Sequence, residues 1–289
     1  MIRDFEHFAP KTLKEALTLL DKYKDECKVI AGGQSLLTLM KQGLVSPKYI
    51  IDIKHLPGMD YIKYDAKEGL KIGALTTHRA VEKSKVIKDK FPVLSEMESR
   101  VATIQTRNWG TIGGDLCHAD PAGDPAPVLI SLNATLKLAS LKGERTIPVE
   151  DFTLDYFETA LEPGELLAEI QVPVVPPRTG TVYYKFNVIE GDMAIVGIAV
   201  SMTLGEGDTT CSDVRIVLGA SASKPIRAKQ AEQLLRGKKI TDALLEKAGQ
   251  TASEEAEPIS DIHASEEYRR ELIKVLVKRI AKQALARAK

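Results

Sequence analysis

Asn108-Trp109-Gly110-Thr111-Ile112-Gly113-Gly114-Asp115, running on through His118-Ala119-Asp120-Pro121-Ala122-Gly123-Asp124-Pro125, is the stretch around which the chain is organised. Adjacent glycines let a backbone adopt positive φ and come close to a ligand. Successive N–H groups exposed in such turns form a concavity suited to an anion, phosphate above all. A stretch of the same kind, Val29-Ile30-Ala31-Gly32-Gly33-Gln34-Ser35, lies about 80 residues upstream. It falls between a short apolar strand, 28–31, and a helical turn that begins with Gln34. A helix N-terminus at that point is expected to add partial positive charge. Two such turns can hold a pyrophosphate between them.

Outward from these turns, Thr12-Leu13-Lys14-Glu15 reads as a capping box that opens a helix through about Tyr23. Strands are expected at 49–53 and 69–74, with Thr76 or Thr77 capping a helix that contains Arg79-Ala80-Val81. Residues 91–104 read as one helix, since Leu94, Met97 and Val101 recur near a helical repeat. Pro125 opens another helix, to about Leu132, and strands follow at 134–138, 145–149 and 166–172. Val174-Val175-Pro176-Pro177-Arg178-Thr179-Gly180 has the composition of a linker. Beyond it lie long alternating runs, at 181–186, 193–204 and 213–218, then helices near 228–236 and 242–253. A last amphipathic helix, about 265–289, carries a stripe of Leu272, Val275, Leu276, Arg279, Ile280 and Leu285. Strands followed by a run of helices make an α+β pattern.

A length of 289 residues suggests about two domains, and 44% hydrophobic content suffices for buried cores. Forty basic residues balance 40 acidic ones, so charge gives no reason to expect nucleic acid or a membrane surface as partner. The cysteines Cys27, Cys117 and Cys211 are scattered, which argues against a disulfide framework or a local metal cluster and for a reducing, cytoplasmic setting. The N-terminal residues are charged and do not read as a signal peptide, and no run is long enough to span a membrane. The dinucleotide fingerprint G-x-G-x-x-G follows none of the expected strands, and neither a phosphate-binding Walker sequence nor H-E-x-x-H is present.

The two glycine stretches, in this order and spacing and with the His118–Asp124 continuation, closely resemble the FAD-binding medium subunit of the molybdenum hydroxylases. That family includes carbon monoxide dehydrogenase, xanthine dehydrogenase and aldehyde oxidoreductases. The resemblance extends to Gly219-Ala220, to Pro225-Ile226-Arg227-Ala228 and to Ser265–Leu272, and so covers nearly the whole chain.

It implies an α+β fold: a vanillyl-alcohol-oxidase (PCMH)-type FAD-binding domain of two subdomains, with a smaller C-terminal α+β domain. The expected division is 1–176, with subdomains of about 1–55 and 56–176, and 177–289. Non-covalent FAD is the implied cofactor. By position, Ile30, Ala31, Gly32, Gly33, Gln34, Ser35 and Leu36 would hold the pyrophosphate through backbone N–H groups. Thr111, Ile112, Gly113, Gly114 and Asp115 would hold it from the other side. Asp124 would accept from adenosine or ribityl hydroxyls, Leu167 would place its backbone against the isoalloxazine, and Lys185 would stand near the flavin edge. His118 and Asp120 complete the cofactor-binding set. His118 is read as orienting its loop, and Asp120 equally as a helix cap. No catalytic residue and no metal ligand is expected on this chain.

Gln34 stands where the family often has His, and both donate a hydrogen bond. Val188 stands where a basic residue is common, next to Glu190-Gly191-Asp192, which leaves the electron acceptor open. The resemblance further implies a molybdopterin-binding large subunit and a [2Fe-2S] small subunit as partners, assembled as a dimer of heterotrimers. The chain would pass electrons from their clusters to NAD, a quinone or another carrier. Two other readings are a stand-alone FAD oxidoreductase with its own substrate site and a nucleotide-binding module without redox chemistry.

Overall fold

The computed structural model describes residues 2–205 and 210–289. The first unit is a small parallel sheet. Strands β1 (Glu6–Phe8), β2 (Cys27–Ile30) and β3 (Tyr49–Asp52) lie in the order β1-β3-β2. They are connected through helices α1 (Leu13–Tyr23) and α2 (Leu36–Lys41). Helix α1 starts as its capping box predicts. Thr12 Oγ1 accepts from the Glu15 N–H at 3.1 Å, while the Glu15 carboxylate accepts from the Lys11 N–H at 2.9 Å. The reciprocal bond is thus made one residue earlier than the motif prescribes.

The second unit is an antiparallel sheet of order β4-β5-β10-β6-β7. Its strands are β4 (Ile62–Asp65), β5 (Gly69–Gly73), β6 (Thr135–Ser140), β7 (Gly143–Pro148) and β10 (Leu166–Val172), with a separate hairpin of β8 (Thr153–Asp155) and β9 (Glu158–Thr159). Six short helices lie between β5 and β6: α3 (His78–Lys83), α4 (Lys85–Lys90), α5 (Pro92–Glu98), α6 (Ile104–Trp109), α7 (Ile112–His118) and α8 (Pro125–Ser131). The single helix expected over 91–104 is therefore two. Helix α5 ends at Glu98, Ala102 takes a left-handed φ of 42°, and Thr103 caps α6 by accepting from the Thr106 N–H. Helical periodicity through Val101 hid the break, because Val101 is buried from the turn as it would be from a helix.

The third unit contains β11 (Thr179–Phe186), β12 (Val196–Leu204), β13 (Cys211–Gly219) and β14 (Ile226–Arg227), antiparallel and in sequence order. Helices α9 (Lys229–Leu235), α10 (Asp242–Glu255) and α11 (Glu266–Ala288) follow. Thr179 and Gly180 open β11 rather than close the linker. A β-carbon on Gly180 would sit 2.7 Å from the Ala288 nitrogen, so glycine here lets α11 lie directly on the strand. The buried stripe of α11 is Ile273, Leu276, Val277, Ile280, Ala281, Ala284 and Ala288; Val275 and Arg279, expected on it, face out. The alanines carry the close contact, and each of the larger side chains contributes about 1.5–3 kcal/mol by burial. Tyr183, Ala199 and Val217 of this sheet pack into the core of the preceding units, so the third sheet is docked on the others.

Candidate cofactor site

Strand β2 ends at Ile30, whose carbonyl accepts from the Ile53 N–H at 2.9 Å. The chain then turns, with Gly33 at φ 72°, a conformation that costs an L-residue strain. The Gln34 side-chain amide folds back and donates to the Gly32 carbonyl at 3.1 Å. Among the described residues, the N–H groups of Gly32, Gly33, Gln34 and Ser35 donate to no protein acceptor. Helix α2 has only six residues, and Ser35 makes no side-chain cap bond. Its dipole is correspondingly slight, so what the turn offers an anion is these individual N–H groups.

The second turn meets the first directly. A β-carbon on Gly32 would overlap the Trp109 carbonyl oxygen and lie 2.7 Å from the Gly110 Cα. Gly110 is packed against Gln34, and Gly114 faces Ala31. The stretches singled out in the sequence are therefore in contact. The N–H groups of the second turn are engaged within the protein. Ile112 donates to the Thr76 carbonyl and Gly113 to the Ala74 carbonyl, each at 3.0 Å, Gly114 to Thr111 Oγ1 at 3.1 Å, and Asp115 to the Thr111 carbonyl at 3.0 Å. A β-carbon on Gly113 would come 2.5 Å from the Ala74 carbonyl oxygen. Gly113 thus lets α7 press against the end of β5.

Behind the second turn lies a buried charge network that spans the units. His78, first residue of α3, has its backbone N–H on the Gly110 carbonyl at 3.0 Å. Its Nδ1 is 2.7 Å from Glu98 Oε2, and its Nε2 is 3.8 Å from Asp115 Oδ2. Burial disfavours an imidazolium here, but the charge and hydrogen bond of Glu98 outweigh it and raise His78 to about 9. Burial pushes Glu98 up, and one of its oxygens, Oε1, has no hydrogen-bond partner. Burial also pushes Asp115 up to about 7, against the pull of His78, with Glu98, Asp124 and Asp120 adding to the rise. Asp124 Oδ1 accepts from the Tyr183 hydroxyl at 2.6 Å, and Asp124 Oδ2 pairs with Lys185 Nζ at 2.7 Å. Lys185 also donates to the Arg100 carbonyl at 2.8 Å. Asp124 belongs to the second unit and both its partners to β11, so this cluster fastens the third sheet to the cofactor loops.

Other predicted residues fall around this core. Asp120 closes its own turn, accepting from the Ala122 N–H at 2.9 Å, and caps no helix. Asp124 occupies the N-cap position of α8 but makes no cap bond, since its side chain turns to Tyr183 and Lys185. His118 is half-buried, tilted against the Phe157 ring at 5.2 Å, and burial lowers its pKa. Leu167 is buried in β10, beside a break in register with β6. Trp109 is exposed and carries the Lys54 ammonium over its ring at 3.1 Å. Burial raises Cys117 to about 12, so its thiol is inert. Three alanines at left-handed φ hold the surrounding loops: Ala102, Ala119 and Ala220. Ala119 accepts from the Phe157 N–H at 3.1 Å, and Ala220 donates to the Pro121 carbonyl at 2.8 Å, across to the loop that carries Asp124.

His78, Glu98 and Tyr183 have no role in the sequence expectations. One signal was readable. Glu98 falls with Leu94, Met97 and Val101 on one helical face, and a lone carboxylate on an apolar face needs a buried partner.

The donor set fits a dinucleotide pyrophosphate: free N–H groups on one turn, a second turn abutting it, and a Gly32 backbone with no room for a side chain. Comparison with known proteins agrees. The FAD binding domain of molybdopterin dehydrogenase matches residues 3–175, and the carbon monoxide dehydrogenase flavoprotein C-terminal domain matches residues 181–284. The chain is 36% identical to the 6-hydroxypseudooxynicotine dehydrogenase complex subunit alpha of Paenarthrobacter nicotinovorans, over 99% of this chain and 96% of that one. It is 34% identical to the carbon monoxide dehydrogenase medium chain of Hydrogenophaga pseudoflava, over 98% of each. A solved structure of the carbon monoxide dehydrogenase from H. pseudoflava superposes with a TM-score of 0.96 at 35% identity, over 99% of each chain. Two abutting glycine turns under a docked C-terminal sheet, matched along the full length, place the chain in one family: it belongs to the FAD-binding medium subunits of the molybdenum hydroxylases, flavoprotein components of oxidoreductases.

Proposed function

We propose that this chain is the electron-transfer subunit of its complex, passing electrons from iron–sulfur clusters on a partner to an external acceptor such as NAD or a quinone. The abutment of Gly32 on Trp109–Gly110, with free N–H groups beside it, is the observation that carries the reading. Residues 30–36 take the pyrophosphate through their free N–H groups, residues 111–115 brace that turn from the other side, Leu167 belongs to the flavin half, and Asp124 and Lys185, buried against each other, fasten the loops around it. Bound FAD supplies the exchange of electrons between clusters and acceptor, and the chain's own residues bind, orient and shield it. Residues 1–176 form the FAD-binding domain, and 177–289 the domain docked on it.

Molybdopterin and [2Fe-2S] groups reside on a large and a small partner subunit, in a dimer of heterotrimers. In support, relatives carry names of complex subunits. No helix among them is long and apolar enough to cross a membrane. We place the complex in the cytoplasm, on the strength of three separate unpaired cysteines.

Anaerobic mixing of the complex's substrate with the FAD-loaded chain, alone and assembled with its partners, tests the role. Bleaching of the flavin bands only in the assembly is the expected result. Bleaching of the lone chain would instead make it a stand-alone oxidoreductase. A bound FAD that no reductant reaches in the assembly would make it a binding module without redox function.

A further inference from the structure

The docked face of the third sheet is apolar toward one end of its strands and polar toward the other. The register of β11, β12 and β13 sets Tyr183, Ala199 and Val217 on one rung, and these pack into the neighbouring core. The next two rungs of the same face are Thr181–Ser201–Arg215 and Thr179–Thr203–Asp213. They border a groove of about 280 Å³ whose other wall is formed by residues 131–133 and 173–176 of the second unit and the linker. Thr179 and Lys185 stand toward opposite ends of β11, roughly 20 Å apart at about 3.3 Å per residue, so the groove is away from the cofactor loops.

The sheet side of this groove is rich in donors. Thr179 and Thr203 share one hydrogen bond at 2.8 Å, and Thr181 and Ser201 another at 3.0 Å. In each pair one hydroxyl donates to the other, so one O–H per pair is left without an acceptor among the described residues. Arg215 is half-buried and, among the described residues, makes no hydrogen bond and no ion pair. The charged groups that face it are Arg227, Asp213, Glu232 and Glu150. All three carboxylates are already engaged. Asp213, which also lines the groove, pairs with Arg236 at 2.9 Å, Glu232 with Arg227 at 2.6 Å, and Glu150 with Lys229 at 2.8 Å and Arg227 at 3.1 Å. Four cations thus meet three carboxylates, and Arg215 is the one left over. Burial and the Arg227 charge hold it below the usual arginine range. A partly desolvated guanidinium without a partner is matched best by an ion that brings negative charge and several acceptor oxygens together.

We propose that this groove binds a small oxyanion of the phosphate kind, held by the Arg215 guanidinium and by the free hydroxyls of the Thr179–Thr203 and Thr181–Ser201 pairs. The site is built from the third sheet and is independent of FAD, so it stands or falls apart from the electron-transfer role. Because it exists only when the third sheet is folded and docked, occupancy stabilises the chain against unfolding.

Calorimetric titration of the full chain with sodium phosphate, at an ionic strength held constant with sodium chloride, tests it. Excess FAD is present throughout, so that the free N–H groups of the first glycine turn do not take the phosphate. Saturable binding and a urea midpoint that rises with phosphate are expected. Arg215→Met should weaken phosphate binding by about 10- to 100-fold, the span of a hydrogen bond to a charged group. Lys229→Met, which removes an exposed cation paired with Glu150, should change it little. No saturable binding to wild type, or equal binding by Arg215→Met, overturns the proposal. So does an equal loss in Lys229→Met, which would make the effect one of diffuse charge. Should Arg215→Met fail to fold, Arg215→Lys decides. It keeps the charge and loses the planar fork, so affinity should fall severalfold, and unchanged affinity overturns the site.

Discussion

Replacing Lys185 with methionine keeps most of the side-chain volume and removes the charge that joins β11 to Asp124. The Lys185 and Asp124 side chains are only 3% and 7% exposed, and their atoms are 2.7 Å apart, so water cannot take over for the lost ammonium. The substitution also strips a donor from the Arg100 carbonyl and leaves Asp124 with the Tyr183 hydroxyl alone. Removing one partner of a buried pair costs about 3–5 kcal/mol, because the other charge stays buried without compensation. Asp124→Asn should cost a similar amount, about 3–5 kcal/mol, since it leaves the Lys185 ammonium buried without a counter-charge. In the double variant the stranded charge is gone, so its cost should fall short of the sum by about 1–3 kcal/mol. Urea unfolding of the four proteins, followed by tyrosine and tryptophan fluorescence, reads each value. A loss below about 1 kcal/mol in Lys185→Met, or strict additivity in the double variant, would refute the view that this pair fastens the two units.

Gly32→Ala should reduce FAD retention by about 10- to 100-fold, because the new methyl must push the Trp109–Gly110 backbone away and overpacking of this kind costs about 1–3 kcal/mol. The ratio of flavin to protein absorbance after gel filtration checks it, and wild-type retention would sink the clamp. Folding stability of the FAD-free chain should fall between about pH 6.5 and 9. His78 has a folded pKa of about 9, raised above the ordinary 6.5, so its stabilisation is complete below 6.5 and is lost as pH rises through 9. The change is on the order of 3 kcal/mol, and Glu98→Gln should flatten it. Urea midpoints that stay level or rise across that range in wild type would count against a charged His78.

The first glycine turn and the proline at the head of α8 were legible because their chemistry is local, but Gly113 and Gly114 are no open turn: they lie in the first turn of α7 with their N–H groups engaged, behind a cap at Thr111 that the sequence reading did not name. The overall α+β order was legible too. The break between α5 and α6 was not, because Val101 keeps its apolar place while Ala102 reverses the backbone. The stripe of α11 was misread for another reason. Close packing of helix on strand selects alanine and glycine, at Gly180, Ala281, Ala284 and Ala288, and residues chosen for smallness carry little hydrophobic signal. The charge network was the least legible part. Asp124 and Lys185 are 61 residues apart, His78 and Glu98 come from different helices, and only the fold brings them together. Asp120 and Asp124 look alike in sequence, yet one closes a turn and the other ties the head of α8 to β11.

Ala102, Ala119 and Ala220 show what kind of frame surrounds this cofactor. Each is an L-residue in a conformation that glycine would occupy without penalty, at about 1–2 kcal/mol per position. A glycine at any of them would relieve that stress but also widen the range of directions the loop can take. The β-carbons therefore act as detents that hold three loops beside the candidate site in single orientations. Stiffness at these points comes at the expense of intrinsic stability.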